Sequence, residues 1–373
     1  ASAPELSLKA SGTVDALGDE PRYKIQFEAH TEHLHDLLVA FDHQMPIDGT
    51  GTAEGQLIRS GDHYRVEDLR FTASAPELSL KASGTVDALG GLPEFTLQVT
   101  GRSPDLAQLS QAWSWDWPLP VGIELAVAGS LKAVAGTVFT SNLKLTAFGQ
   151  EVAGHFFGRL PSMGYAGRPD WLLVLNYDDL GGLATGIGVP WLYPAPGEFT
   201  LRARPSGTDM KSFHVQTGLN TTELDVKVTG EVTGFDAQAA FELAYSIVSS
   251  GVPEQSEWFG IALSRVGSFQ VEGSATRIAG DEQPVTGSAR LIADRLGSVE
   301  AKGVFGLSPQ GDSKISVAIE SESIAKVAAL GSFVLADVGP FRGEANIHLM
   351  PEQIFLEEFH LSAGDNDLHG SIV

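Results

Sequence analysis

The chain has 373 residues, 43% of them hydrophobic, which is enough to bury a large core and excludes a disordered polymer. Its 24 Lys and Arg against 47 Asp and Glu leave a formal charge of −23. That opposes binding to nucleic acid, whose affinity rests on cationic side chains. With no cysteine there is no disulfide, thiol nucleophile or zinc–thiolate site. No run approaches the roughly 20 apolar residues that cross a bilayer, and Ala1 to Lys9 lack the layout of a signal peptide, so any anchor or export signal is expected outside this stretch.

The first segment, Ala1 to Gly18, recurs letter for letter as Ala73 to Gly90, an offset of 73 − 1 = 72 residues. Identity at all 18 positions, exposed ones included, exceeds what a shared structure requires and points to a recent duplication or an assembly artefact. Weaker echoes divide the chain into the end of a truncated repeat (1–18) and five repeats at 19–90, 91–161, 162–235, 236–310 and 311–373, forming one continuous array. Each opens with period-two alternation, which places one set of side chains on one face of a strand. The sets are Tyr23, Ile25, Phe27; Phe95, Leu97, Val99; Trp171, Leu173, Leu175; Phe241, Leu243; and Ile315, Val317, Ile319.

A short helical stretch follows, with apolar residues three and four apart, as in Leu34, Leu37, Leu38, Phe41 and in Leu106, Leu109, Trp113. Ser103-Pro104-Asp105 predicts the helix start, with Ser103 at the N-cap and Pro104 first in the helix, where its missing N–H costs nothing. Prolines at 46, 118, 120, 190 to 196 and 340 then end the helical stretches. Three more strands complete a repeat: Val121 to Val127, Val138 to Ala147 and Val152 to Leu160; Glu198 to Ala203, Phe213 to Gly218 and Leu224 to Val232; and Phe341 to Leu349, Phe355 to Ala363 and Leu368 to Ile372. The last pair is joined by a turn at Gly364-Asp365-Asn366-Asp367.

One repeat cannot bury its apolar face alone, so neighbours must stack and share it. At about 4.8 Å per strand, five four-strand repeats would extend over roughly 100 Å. The predicted fold is therefore mainly β: an elongated, repetitive, twisted antiparallel sheet folded around a hydrophobic groove, taco-like, with one short helix per repeat. Helices this short would cover about half of the apolar face, leaving either an open groove or a closed interior.

The order of strand, helix (SPDLAQLSQAW at 103–113), proline-bearing turn and three strands ending in LEEFHLSAGDNDLHGSIV (356–373) resembles the AsmA-like family. An alternating strand, a small polar turn and a strand carrying apolar-x-Gly recur at Phe359 to Ile372, Leu143 to Phe156, Phe213 to Gly230 and Leu69 to Gly84. The resemblance implies a periplasmic protein of the Gram-negative envelope, anchored to the inner membrane, whose apolar β groove conducts phospholipid towards the outer membrane. At about 0.8 kcal/mol per CH₂, two acyl chains of roughly 16 carbons would cost more than 20 kcal/mol to expose, so a continuous apolar lining is what such a task demands.

The expected lining is Phe95, Leu97, Val99, Ile123, Leu125, Val127, Leu143, Leu145, Val152 and Phe156, with Leu173, Leu175, Phe199, Leu201, Phe213, Val215, Leu224, Val226 and Val228; the alternative is that these are ordinary core. A role in assembling outer-membrane proteins, also implied by the family, is the second functional reading, with envelope proteins as partners.

Other candidates carry bland explanations. His30, His33, His35 and His43 with Asp36 and Asp42 form the densest potential metal group, but His33 and His35 would point to different faces of a helix. Asp365 and Asp367 resemble the start of a calcium loop without its glycine or distal glutamate. Trp113, Trp115, Trp117, Trp191 and Trp258 are read as plugs between helix and sheet. Gly49 to Gly55 lacks the lysine of a phosphate loop. No Gly-x-Ser-x-Gly or His-Glu-x-x-His is present, and neither an enzyme nor a cofactor is expected.

Overall fold

The computed structural model describes residues 2–3, 6–16, 22–35, 48–61, 63–87, 94–112, 122–134, 137–147, 150–159, 170–179, 195–206, 212–234, 239–251, 257–258, 261–262, 266–280, 284–305, 312–330, 334–350 and 353–372. The chain forms two compact units, Ala1–Tyr177 with Gly186–Gly188, and Asp178–Thr185 with Val189–Val373.

The first unit contains β1 (Ser2–Ala3), β2 (Leu6–Ala16), β3 (Arg22–Thr31), β4 (Thr50–Ser60), β5 (His63–Ser74), β6 (Ser79–Asp87), β7 (Glu94–Ser103), helix α1 (Leu106–Ala112), β8 (Leu125–Val134), β9 (Thr137–Ala147), β10 (Gln150–Arg159) and β11 (Trp171–Tyr177). Each strand pairs antiparallel with the next in chain order.

The second unit is a meander of the same kind: β12 (Gly197–Pro205), β13 (Ser212–Thr221), β14 (Leu224–Thr233) and β15 (Ala240–Ser249), continuing through β18 (Phe269–Arg277), β19 (Val285–Ala293), β20 (Gly297–Phe305), β21 (Ser313–Ser321), β22 (Phe341–Met350), β23 (Gln353–Ala363) and β24 (Asn366–Ile372). Between β15 and β18 lies a separate hairpin of β16 (Glu257–Trp258) and β17 (Ile261–Ala262); helix α2 (Ile324–Leu330) follows β21. The fold is thus mainly antiparallel β with little helix, and strand follows strand in a repeat-like pattern.

Alternation along each strand sorts side chains onto two faces, and register carries the sorting across the ladder. One face is charged. Glu54 lies opposite Arg70, Arg290 opposite Glu300 and Glu320 opposite Arg342, with N–O distances of 3.2, 3.2 and 2.9 Å. Exposed pairs like these add little stability. They do specify register, since a slip of one residue would carry every charge to the apolar side.

The other face is apolar and is built on a recurring glycine. Gly12, Gly84, Gly154, Gly230 and Gly303 lie directly opposite Ile25, Leu97, Leu175, Leu243 and Ile315 on the following strand. A Cβ on any of the five would sit 2.0–2.2 Å from a backbone carbonyl oxygen of that strand. Only glycine permits so close an approach. This is the physical content of the apolar-x-Gly pattern in the sequence.

The connections after β3, β7 and β21 share one device. The first helical N–H donates to a carbonyl just ahead of the returning strand: Leu34 to Gly49 (2.8 Å), Leu106 to Ile123 (2.7 Å) and Ile324 to Gly339 (3.4 Å). A buried hydroxyl residue, Thr31, Ser103 or Ser321, ends the strand before each.

Two expectations are corrected. The N-cap of α1 is Asp105, whose Oδ1 accepts the Ala107 N–H at 2.9 Å; Ser103 is the last residue of β7, and its Oγ donates to the Asp105 carbonyl at 3.2 Å. Of the expected strand Val121 to Val127, Val121 lies outside the described residues and 122–124 are not strand; 125–127 open β8, which starts where Leu125 pairs with Ser103 and runs on to Val134. In the fourth repeat Glu257–Trp258 and Ile261–Ala262 pair as β16 and β17, and the helix expected ahead of Trp258 falls on 252–256, outside the described residues.

The buried apolar residues gather at the ends of strands and on the helical turns: Leu34, Ala107 and Leu109 on the turns, and Val266, Ala293 and Leu296 as a cluster packed by Phe269, Leu291, Val299, Ile319 and Val327. Mid-strand positions on the apolar face are mostly half-buried.

Candidate functional site, an apolar sheet face

All nineteen expected lining residues are described, twelve in the first unit and seven in the second. In the first unit the ladder places them in rows that cross the strands. Phe95 lies opposite Val86 and Ala133, Leu97 opposite Gly84 and Leu131, and Val99 opposite Ala82 and Gly129. Leu125 pairs with Ala147, and a further row runs Gly101, Val127, Leu145, Val152. Leu143 and Leu175 flank Gly154, and Phe156 faces Leu173. Ile123 precedes β8 and serves through its carbonyl as the acceptor for α1.

In the second unit Phe199, Leu219, Val226 and Ile247 make one row, Leu201, Thr217, Val228 and Tyr245 the next, and Ala203, Val215, Gly230 and Leu243 a third. Phe213 lies between Pro205 and Val232, and Leu224 faces Ser249. Every member that lies on a strand therefore shares a face with the others of its unit, and Ile123, ahead of β8, does not lie on one.

Val152, Phe213 and Leu224 are buried, and the other sixteen keep part of their surface in solvent. The packed interior of a sandwich would shut such residues away from water. Here the middle of the face stays half-covered while strand ends are closed.

The rows run further than the expected set. Ile25, Leu57, Phe27 and Phe71 extend the face within the first unit, and Val271, Leu291, Val299 and Ile319 within the second. The same period-two signal that marked Phe95 and Val226 marks these, so alternation alone was sufficient to find them.

Two phenols break the apolar character. Tyr245 lies across Gly273, where an added Cβ would be 2.4 Å from its hydroxyl, and donates to the Ser288 carbonyl at 3.0 Å; burial raises its pKa. Tyr177 is 4% exposed, its hydroxyl has no hydrogen-bond partner among the described residues, and burial pushes its pKa up to about 12.

The polar candidates do not converge. His30 lies on the charged face opposite Thr52, and the His33 N–H donates to the Thr31 hydroxyl. Asp36, Asp42 and His43 lie outside the described residues, as do Trp113, Trp115, Trp117 and Trp191; Trp258 belongs to the β16–β17 hairpin. Among the described residues no three His, Asp or Glu are grouped to hold a metal ion. Sequence reasoning missed His348, which is nearly buried on the charged side with Glu357 at 3.3 Å and Asp312 at 3.6 Å.

Gly364-Asp365 forms a two-residue turn closed by Gly364 at φ +58°, and Asn366 already pairs with Ala363. Gly51 and Gly55 belong to β4. Among the described residues no helix is long and apolar enough to cross a membrane. Compared with known proteins, the chain matches no family model, no curated protein and no solved structure.

Proposed function

We propose that the apolar face of these sheets binds acyl chains, and that the protein acts as a passive conduit for phospholipid in the periplasm, between inner and outer membrane, held by an anchor outside this stretch. The observation that supports the reading most directly is the row pattern itself. Large apolar side chains follow one another from strand to strand with solvent still touching most of them, while the opposite face is covered by ion pairs. Such a surface gains by covering hydrocarbon at about 25 cal/mol per Å². It supplies no group that would react with it, and a passive carrier requires none.

The test is lipid extraction and native mass spectrometry of the purified protein, with Leu125→Asp and Val226→Asp compared after circular dichroism has shown each to be folded. Phospholipid should accompany the wild type and be depleted in the variants. A folded wild type that carries none, even after incubation with mixed vesicles, would overturn the reading.

A further inference from the structure

We propose that Arg277 receives the anionic head of an acyl-chain ligand at the rim of the apolar face, so that the second unit prefers amphiphiles bearing a carboxylate or phosphate over neutral ones of the same chain length. This rests on the acyl-binding reading above and adds head-group choice to it.

Arg277 is the last residue of β18 and follows its inward alternation after Phe269, Val271, Gly273 and Ala275. It lies opposite Phe241, which lies in turn opposite Val232. The side chain is half-buried, and its Nε is shut off from solvent with no hydrogen-bond partner among the described residues. A guanidinium stays charged at every ordinary pH. A desolvated, unpaired donor of such a group is unfavourable, and a turn of the half-buried side chain that brings it to an anionic oxygen at the rim offsets that cost best. No carboxylate among the described residues forms an ion pair with Arg277.

The first unit holds the counter-example. Arg59 lies opposite Tyr23, itself opposite Val14, which is the same place in the repeat. There the Nε donates to the Gly61 carbonyl at 2.9 Å, and the guanidinium lies 4.7 Å from the centre of the Tyr64 ring. One hairpin satisfies its arginine from within; among the described residues the Arg277 Nε has no such partner.

From Arg277 the strand runs back about 26 Å to Phe269. Phe269 packs on the buried cluster of Val266, Ala293 and Leu296. A cation at one end of an apolar strip and a closed hydrophobic end at the other match a ligand with a charged head and a hydrocarbon tail. The overall charge of −23 repels free anions at a distance, so affinity has to come from the tail, with the head adding selectivity.

The test uses a fluorescent polyene fatty acid and the corresponding alcohol, titrated into the full chain, with sodium acetate and inorganic phosphate as tail-free competitors. The wild type should bind the acid about tenfold more tightly than the alcohol, the equivalent of one charge-assisted hydrogen bond. Arg277→Gln should erase that ratio and leave the alcohol's affinity unchanged, while Arg277→Lys should keep part of it and guards against a variant that fails to fold. An unchanged ratio in Arg277→Gln, with both probes still bound, would overturn the proposal and leave the acyl-binding reading standing. Displacement of the acid by millimolar acetate or phosphate alone would also overturn it. Failure of both probes to bind the wild type would remove the acyl-binding reading itself.

Discussion

Gly230 lies directly opposite Leu243 across the β14–β15 ladder, so close that a Cβ on the glycine would meet the Glu242 carbonyl oxygen at 2.0 Å. The contact is with backbone, which cannot swing aside as the end of a side chain can. Gly230→Ala is therefore expected to cost about 1–3 kcal/mol, the range of overpacking, by forcing the two strands apart. Gly251→Ala is the control, since nothing lies within 4 Å of the new methyl group. Urea denaturation should show a lowered midpoint for the first variant and none for the second.

Asp105 holds the start of α1 through a single carboxylate bond to the Ala107 N–H. Asp105→Ala should lose about 1 kcal/mol, while Asp105→Asn, which keeps an acceptor oxygen, should lose less. The same denaturation experiment separates the two, and equal losses would show that the contact is not a cap.

Tyr177 has a buried hydroxyl without a partner among the described residues, and its pKa is pushed up to about 12 from 10.0 by burial. The folded state favours the neutral phenol, so its contribution is complete below about pH 10 and is lost as pH rises towards 12. Tyr177→Phe should be as stable as the wild type at pH 7, or more so, because it removes an unsatisfied group. Above pH 10 it should lose stability less steeply, which thermal melts in alkaline buffer would detect.

Tyr245 presents the opposite case, with its hydroxyl bonded to the Ser288 carbonyl on β19, two strands away. Tyr245→Phe should cost about 0.5–1.5 kcal/mol, because the bond is lost and the carbonyl keeps one acceptor unmet. If both tyrosine variants behaved alike at neutral pH, the distinction between a bonded and an unbonded phenol would fail.

Much of this architecture was legible in one dimension. Alternation at Phe95, Leu97 and Val99 marked a strand and its inward face, and the same signal found Val226 and Val228, because period two is a local property of the chain. Proline and glycine marked the connections. Partners brought together only by register were not legible. Nothing near Gly84 in sequence says that Leu97 will lie against it. Nothing around Arg277 in sequence reveals that its Nε, unlike that of Arg59, finds no carbonyl among the described residues. The cap of α1 was misassigned because Ser103 and Asp105 are both good capping residues two positions apart. The choice was settled by where β7 ends.

The duplicated segment places the same letters in two settings. In β6, Leu80 and Val86 are half-buried beside β5; in β2, whose neighbour on that side is the two-residue β1, Leu8 and Val14 are 36% and 53% exposed. Each copy fits its following strand through an equivalent glycine, so during folding β7 meets two interchangeable mates. Only chain proximity discriminates between them: closing the short link from β6 in place of the long span from β2 is favoured by roughly 2 kcal/mol of loop entropy. Strand exchange, within a molecule or between molecules, is the characteristic folding error that such a sequence invites.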